Sequence, residues 1–191
     1  MARINQQLEP RERLEAAIWS QRMVKDAGLV VSASLLMAIA AHVSVPFGAV
    51  PFTLQPLAML LIAFFLGGNR ASAAMVVYLL EGASGLPVFS PAGPGGIAQL
   101  IGPTGGFLMA TPFAAYAAGR LGEARKASFM LLGALAAEVI LFTFGASWFS
   151  HVMHTNVAQT ISLAVVPFLP GEVLKIVIAT TIATLWKKRI A

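Results

Sequence analysis

The feature that most limits this chain is the segregation of its charges. Basic and acidic residues fall in short clusters, and apolar runs separate them at approximately 27–43, 55–68, 70–84, 104–119, 127–148 and 163–186. Charged residues make up 11% of the chain and the mean hydropathy is +0.79, whereas a soluble domain carries about 25% charged residues. In lipid every backbone N–H and C=O must be satisfied within the protein, so apolar runs of this length are read as helices. The expectation is an all-α integral membrane protein with six transmembrane helices. Several runs fall short of the roughly 20 residues that cross a bilayer. The second and third are divided only by Gly67, Gly68, Asn69 and Arg70. A compact bundle that shields short helices from lipid accommodates them.

The basic residues set an orientation. With the N-terminus in the cytoplasm, alternating spans place Arg3, Arg11, Arg13, Arg22, Lys25, Arg70, Arg120, Arg125, Lys126, Lys187, Lys188 and Arg189 inside, 12 of the 13 Lys and Arg. The outer connections, roughly 44–54, 85–103 and 149–162, contain none. Cytoplasmic loops are the ones enriched in Lys and Arg, so both termini are expected inside. The chain then divides into a polar arm (1–26), a six-helix domain (27–186) and a basic tail (187–191). The arm lacks the apolar stretch of a cleavable leader. Its Leu14, Ile18 and Trp19 share a helical face, which suits either the inner membrane surface or solvent. The formal charge of +5 forms no basic stripe of the kind that binds nucleic acid.

The chemistry of several function classes is missing. There is no cysteine, hence no disulfide, thiolate nucleophile or thiolate metal site. Gly102-Pro103-Thr104-Gly105-Gly106 lacks the lysine and the spacing of a phosphate loop, and no nucleophile–base constellation is legible. His151 and His154 in the outer loop, with His42 at the end of the first span, lack a completing ligand and read as solvated side chains. No metal or cofactor is expected. A secondary transporter should show paired interrupted helices in an inverted repeat, and none is evident. A solute-capturing subunit that borrows its energy from a partner is the simplest remaining role.

Two outer loops are uncharged and rich in Pro, Gly and aromatics: Ser44 to Gln55, and Gly85 through Gly106. Exposed loops are ordinarily polar, so apolar loops of this length are expected to fold back over a cavity. Beside them stand the intramembrane charges Glu81, Glu138, Glu172 and Lys175, each of which needs a partner or a function in an apolar setting. Glu172 and Lys175 are three residues apart and so share a helix face. Pro170 suits the start of that helix, which puts the pair near its outer end. There they can bind a small polar or anionic solute, Lys175 to a carboxylate and Glu172 to N–H donors, or neutralise each other. Glu138, mid-span, can line the cavity, bond another helix or stay protonated. Glu81 reads as an interfacial residue or a support for the second loop. Ser34 and Ala38 form a small-residue stripe on which another helix can pack, inside this bundle or outside it.

Four ordered motifs then resemble the BioY family: Val50-Pro51-Phe52-Thr53-Leu54-Gln55; Tyr78 to Ala83 with Gly85-Leu86-Pro87-Val88-Phe89; Gly102 to Phe107; and Pro170-Gly171-Glu172-Val173-Leu174-Lys175. The resemblance spans roughly 27–186. Members usually have Asp where this chain has Glu172. The resemblance implies a six-helix S-component bundle of an energy-coupling-factor importer in a prokaryotic plasma membrane. Such a subunit binds biotin at its outer face and joins a transmembrane coupling subunit and cytosolic ATPases. It implies that Glu172 and Lys175 meet the ureido group and the carboxylate of biotin, in either assignment. It further implies Phe52, Pro87 and Phe89 as apolar walls, Gln55, Gln99 and Thr104 as neutral polar contacts, and Ser34 and Ala38 as the face toward the coupling subunit. Membrane lipid would surround the rest. The alternatives are an S component for thiamin or riboflavin, and a non-transport membrane protein such as an intramembrane enzyme.

Overall fold

A computed structural model describes residues 10–190, apart from the side chains at 10, 12–14, 16, 17, 188 and 190. Arg3 and the side chains of Arg13, Leu14 and Lys188 lie outside that described part. In chain order the elements are α1 (Pro10–His42), β1 (Ser44–Val45), β2 (Phe52–Thr53), α2 (Gln55–Leu66), α3 (Gly68–Ala83), α4 (Gly96–Ile101), α5 (Gly105–Gly122), α6 (Ala127–Met153), α7 (Val157–Ala164) and α8 (Leu169–Ile190). Each of the six apolar runs corresponds to one helix: α1, α2, α3, α5, α6 and α8.

The boundaries differ from expectation where helix propensity runs on past the apolar segment. α1 continues through residues 10–26, so that part of the expected arm is the first helix prolonged, with Ile18 and Trp19 exposed. An exposed Arg11–Glu15 pair at i,i+4, 3.8 Å apart, lies on this extension. α8 likewise runs through the basic tail to Ile190. α6 passes residue 148 and ends at Met153, where His154 takes a left-handed conformation (φ 52°); His151 is therefore helical, not a loop residue. Most of the remaining outer connection is α7. Its start is a capping box: Gln159 N–H donates to Asn156 Oδ1 (2.9 Å) and Asn156 N–H to Gln159 Oε1 (3.1 Å). The first outer loop departs from all-α structure in one small ladder, with β1 antiparallel to β2 and Val45 opposite Phe52.

Among the described residues three helical stretches are long and apolar enough to cross a membrane: Ile18–His42, Ala127–Met153 and Leu169–Lys187. The apolar helix Gln55–Leu66 has only 12 residues, about 18 Å at 1.5 Å per residue, against a hydrocarbon core of about 30 Å. Large apolar side chains cover the outside, including Leu35, Ile39, Leu132, Val139, Phe144, Val173, Leu174 and Val177. Water would not tolerate so continuous an apolar exterior; lipid does.

Small residues let the helices approach closely. A single residue, Gly67 (φ 80°), joins α2 to α3. The Gly68 N–H that opens α3 donates to Glu123 Oε1 (3.1 Å), a carboxylate from the end of α5. Gly119 of α5 lies against this turn; a Cβ there would stand 2.5 Å from Gly68 Cα and N. Backbone cannot swing aside as a side-chain tip does. Gly119→Ala is therefore expected to destabilise the fold by about 1–3 kcal/mol, the usual cost of overpacking, measurable as a lower unfolding temperature in detergent. The same end of the bundle gathers polar contacts: Arg70–Asp26 at 2.8 Å, Arg120–Glu123 at 2.8 Å, and Lys187 Nζ donating to Gly122 O at 2.9 Å. The two apolar loops lie at the opposite end.

Candidate functional site

A cavity opens at that loop end. Met37 of α1, Gln55, Pro56 and Met59 of α2, Gln99 of α4, Phe107, Leu108 and Thr111 of α5, Glu138, Leu141 and Phe142 of α6, and Glu172 of α8 line it. Val50, Pro51 and Thr53 from the first outer loop, Ser90 and Thr104 from the second, and Phe168 before α8 complete the lining. Both uncharged loops thus fold back onto the cavity. The space between the protein atoms, open mouth included, is about 740 Å³.

Local chemistry explains how polar atoms reach so apolar a place. Pro112 interrupts α5 and cannot donate to the carbonyl four residues earlier. That carbonyl, Leu108 O, instead accepts from Thr111 Oγ1 at 2.7 Å, so the helix is rebonded by a side chain at the cavity wall. Gln55 at the start of α2 is oriented twice: its Nε2 donates to Tyr78 Oη (2.9 Å) and its Oε1 accepts from Thr53 Oγ1 (3.3 Å). Gln99 Oε1 accepts from Gly95 N–H (3.1 Å), bringing α4 and the Gly-rich loop together. Trp148 Nε1 of α6 donates to Gly102 O (2.9 Å) and ties down the far end of the same loop.

Glu172 and Lys175 form a buried ion pair. Lys175 Nζ lies 2.7 Å from Glu172 Oε1, with side chains only 5% and 9% exposed. The ammonium also sits 4.1 Å from the centre of the Phe52 ring, a favourable cation–π contact. Phe52 is stacked on Phe168, centroids 6.2 Å apart, and its ring tip packs against Gly171, where any Cβ would overlap it. The β2 residue therefore roofs the pair. Among the described residues only three buried side-chain atoms lack a hydrogen-bond partner: Glu81 Oε2, Glu138 Oε1 and Glu172 Oε2. Two of them, from α6 and α8, belong to residues lining this one cavity.

The expected site residues divide accordingly. Glu172, Gln55, Gln99 and Thr104 line the cavity. Lys175 and Phe52 stand behind Glu172 rather than among the lining residues. Pro87 is exposed, and Phe89 is buried edge-on against Tyr78, centroids 5.3 Å apart; neither lines the cavity. Phe89, packed on Tyr78 and Gly82, fixes the second loop to α3. Ser34 is wholly buried and Ala38 is 8% exposed; Ser34 donates to Glu81 Oε1 (3.1 Å) on α3. Both members of the small-residue stripe are thus packed inside this chain, Ser34 against α3. Glu138, left with three readings from sequence, lines the cavity. Thr53, Ser90, Thr111 and Phe168 were not anticipated. Among the described residues no group of three His, Asp or Glu stands close enough to hold a metal ion.

Comparison with known proteins gives one consistent result. The model of the BioY family matches residues 10–191. The biotin transporter BioY of Thermotoga maritima is 36% identical over 154 residues, covering 80% of this chain and 90% of that protein. The probable biotin transporter BioY of Pyrococcus horikoshii is 33% identical, covering 83% and 94%. Among solved structures, the S component for biotin from an ECF-type ABC transporter superposes with a TM-score of 0.77 at 21% identity, over 88% of this chain and 93% of that one.

Proposed function

The chain belongs to the BioY family, and from that membership and the chemistry of the cavity we propose that it is a biotin-binding membrane subunit of an energy-coupling-factor importer. The observation that carries the reading is an unpartnered carboxylate oxygen, Glu172 Oε2, on a residue that lines the cavity. Biotin offers a matching ureido group with two N–H donors, an apolar sulfur ring and a carboxylate tail. Glu172 accepts from the ureido group. Lys175 is its counter-ion, holding one oxygen so that the other faces the ligand; of the two readings the sequence left open, this is the one in which the pair neutralise each other. Gln55, Gln99 and Thr104 serve the ligand's remaining oxygens, and Phe107, Phe142 and Phe168 supply walls.

The bundle crosses a prokaryotic plasma membrane six times with both termini in the cytoplasm. The distribution of Lys and Arg supports this, since Arg70, Arg120 and Lys187 share the end opposite the cavity. Biotin is then captured from outside, and a coupling subunit with cytosolic ATPases supplies the energy. Calorimetric titration of the detergent-purified protein with biotin, thiamin and riboflavin tests the assignment. Saturable one-site binding of biotin alone is expected; a preference for either other vitamin, or no binding by folded protein, contradicts it. A smaller effect checks the scaffold. Tyr78→Phe removes one neutral hydrogen bond to Gln55, so stability should fall by about 0.5–1.5 kcal/mol, read as a lower unfolding temperature in detergent, and biotin should bind more weakly because Gln55 loses one of its two anchors.

A further inference from the structure

Glu138 has a chemistry that the ion pair does not use. It stands mid-way along α6, 7% exposed, lining the cavity, and among the described residues nothing hydrogen-bonds its carboxyl. The charged groups that face it come from α8 alone, Glu172 and Lys175, and these are already paired at 2.7 Å. The other helices present neutral side chains to the cavity: Thr111 from α5, Gln55 from α2, Met37 from α1 and Gln99 from α4. Tyr116 and Arg120 lie further along α5 and are exposed, and α7 has no titratable residue. Two carboxyl groups therefore line the cavity among otherwise neutral side chains, with one ammonium behind Glu172. Biotin, whose aliphatic carboxyl is ionised at neutral pH, brings a further negative charge. A second, unpaired carboxylate is the least favourable occupant of such a place.

We propose that Glu138 is the acid of the cavity: it holds a proton, donates its O–H to an oxygen of bound biotin, and makes capture of the vitamin proton-linked. This rests on the cavity being the biotin site. The protonated form is the one that binds, so affinity falls as pH rises. The fall is up to tenfold per pH unit wherever ligand-free protein loses that proton, because each biotin then brings one proton with it. An outer medium more acidic than the cytoplasm would favour loading at the mouth and discharge inside.

Calorimetry of the full chain with biotin from pH 6 to 9, in paired buffers of different ionisation heat, reads both affinity and protons taken up. The expected result is an affinity that falls as pH rises, accompanied by uptake of up to one proton per biotin bound. Glu138→Gln should bind up to tenfold more weakly than wild type at pH 6, yet with an affinity flat in pH and no proton uptake. A pH-independent wild-type affinity overturns the proton link while leaving the biotin site intact, as does a Glu138→Gln protein that keeps the wild-type slope. Should that variant fail to fold, the proton count of the wild type decides alone. Absence of biotin binding by wild type at every pH would overturn the site itself, and the proton link with it.

Discussion

Lys175→Met is expected to be among the most destabilising single changes in this protein, lowering its stability by about 3–5 kcal/mol. That is the usual consequence of removing one member of a buried ion pair. The geometry leaves little room for relief. Glu172 is 9% exposed on its side chain, its Oε1 is held by Lys175 alone, and its Oε2 already has no partner. Water cannot readily replace the ammonium beneath the Phe52 ring. Removing both charges should behave differently, because an apolar pair of similar volume is often as stable as the ion pair it replaces. Glu172→Met with Lys175→Met together should therefore recover most of the lost stability, yet fail to bind biotin. Thermal unfolding in detergent, read for the two single variants and the double, gives the coupling directly. Additive losses would mean that the two charges are not partners.

Glu172→Gln should weaken biotin binding by about 10–100-fold while the protein stays folded. The variant keeps an amide oxygen for Lys175 and so preserves the pairing in part. Toward the cavity, however, it can present an N–H where the ureido group also presents N–H donors. A hydrogen bond to a charged partner is worth about 1.5–3 kcal/mol, and each 1.4 kcal/mol is about tenfold in affinity. Equilibrium binding of labelled biotin checks it, with thermal unfolding as the control for fold. An unchanged affinity would reduce Glu172 and Lys175 to a structural pair.

Much of this was legible in the order of residues, for reasons that can be named. Charge segregation marks helix positions because a bilayer excludes both ions and unpaired backbone. The Glu172–Lys175 contact follows from i,i+3 spacing on one helix, and the composition of the two outer loops pointed to their place over a cavity. What stayed hidden depends on how helices rotate against one another. α6 is apolar nearly all round, so nothing along it tells which neighbour Glu138 faces. Ser34 meets Glu81 across 47 positions, and only the packing of α1 on α3 shows that the stripe is used internally. Phe89 and Pro87 stand in a motif beside the site but are directed at α3 and at the exterior. α7, in contrast, was there to be found: Asn156 followed three residues later by Gln159 is a helix-start signature.

The most direct measurement is a structure of this protein crystallised with biotin. The expected result places the vitamin in the cavity between Phe107, Phe142 and Phe168, with a ureido nitrogen about 2.7–3.2 Å from Glu172 Oε2 and Lys175 still on Oε1. Biotin bound outside this cavity would contradict the assignment. So would biotin turned with its carboxylate on Lys175 and its ureido ring away from Glu172.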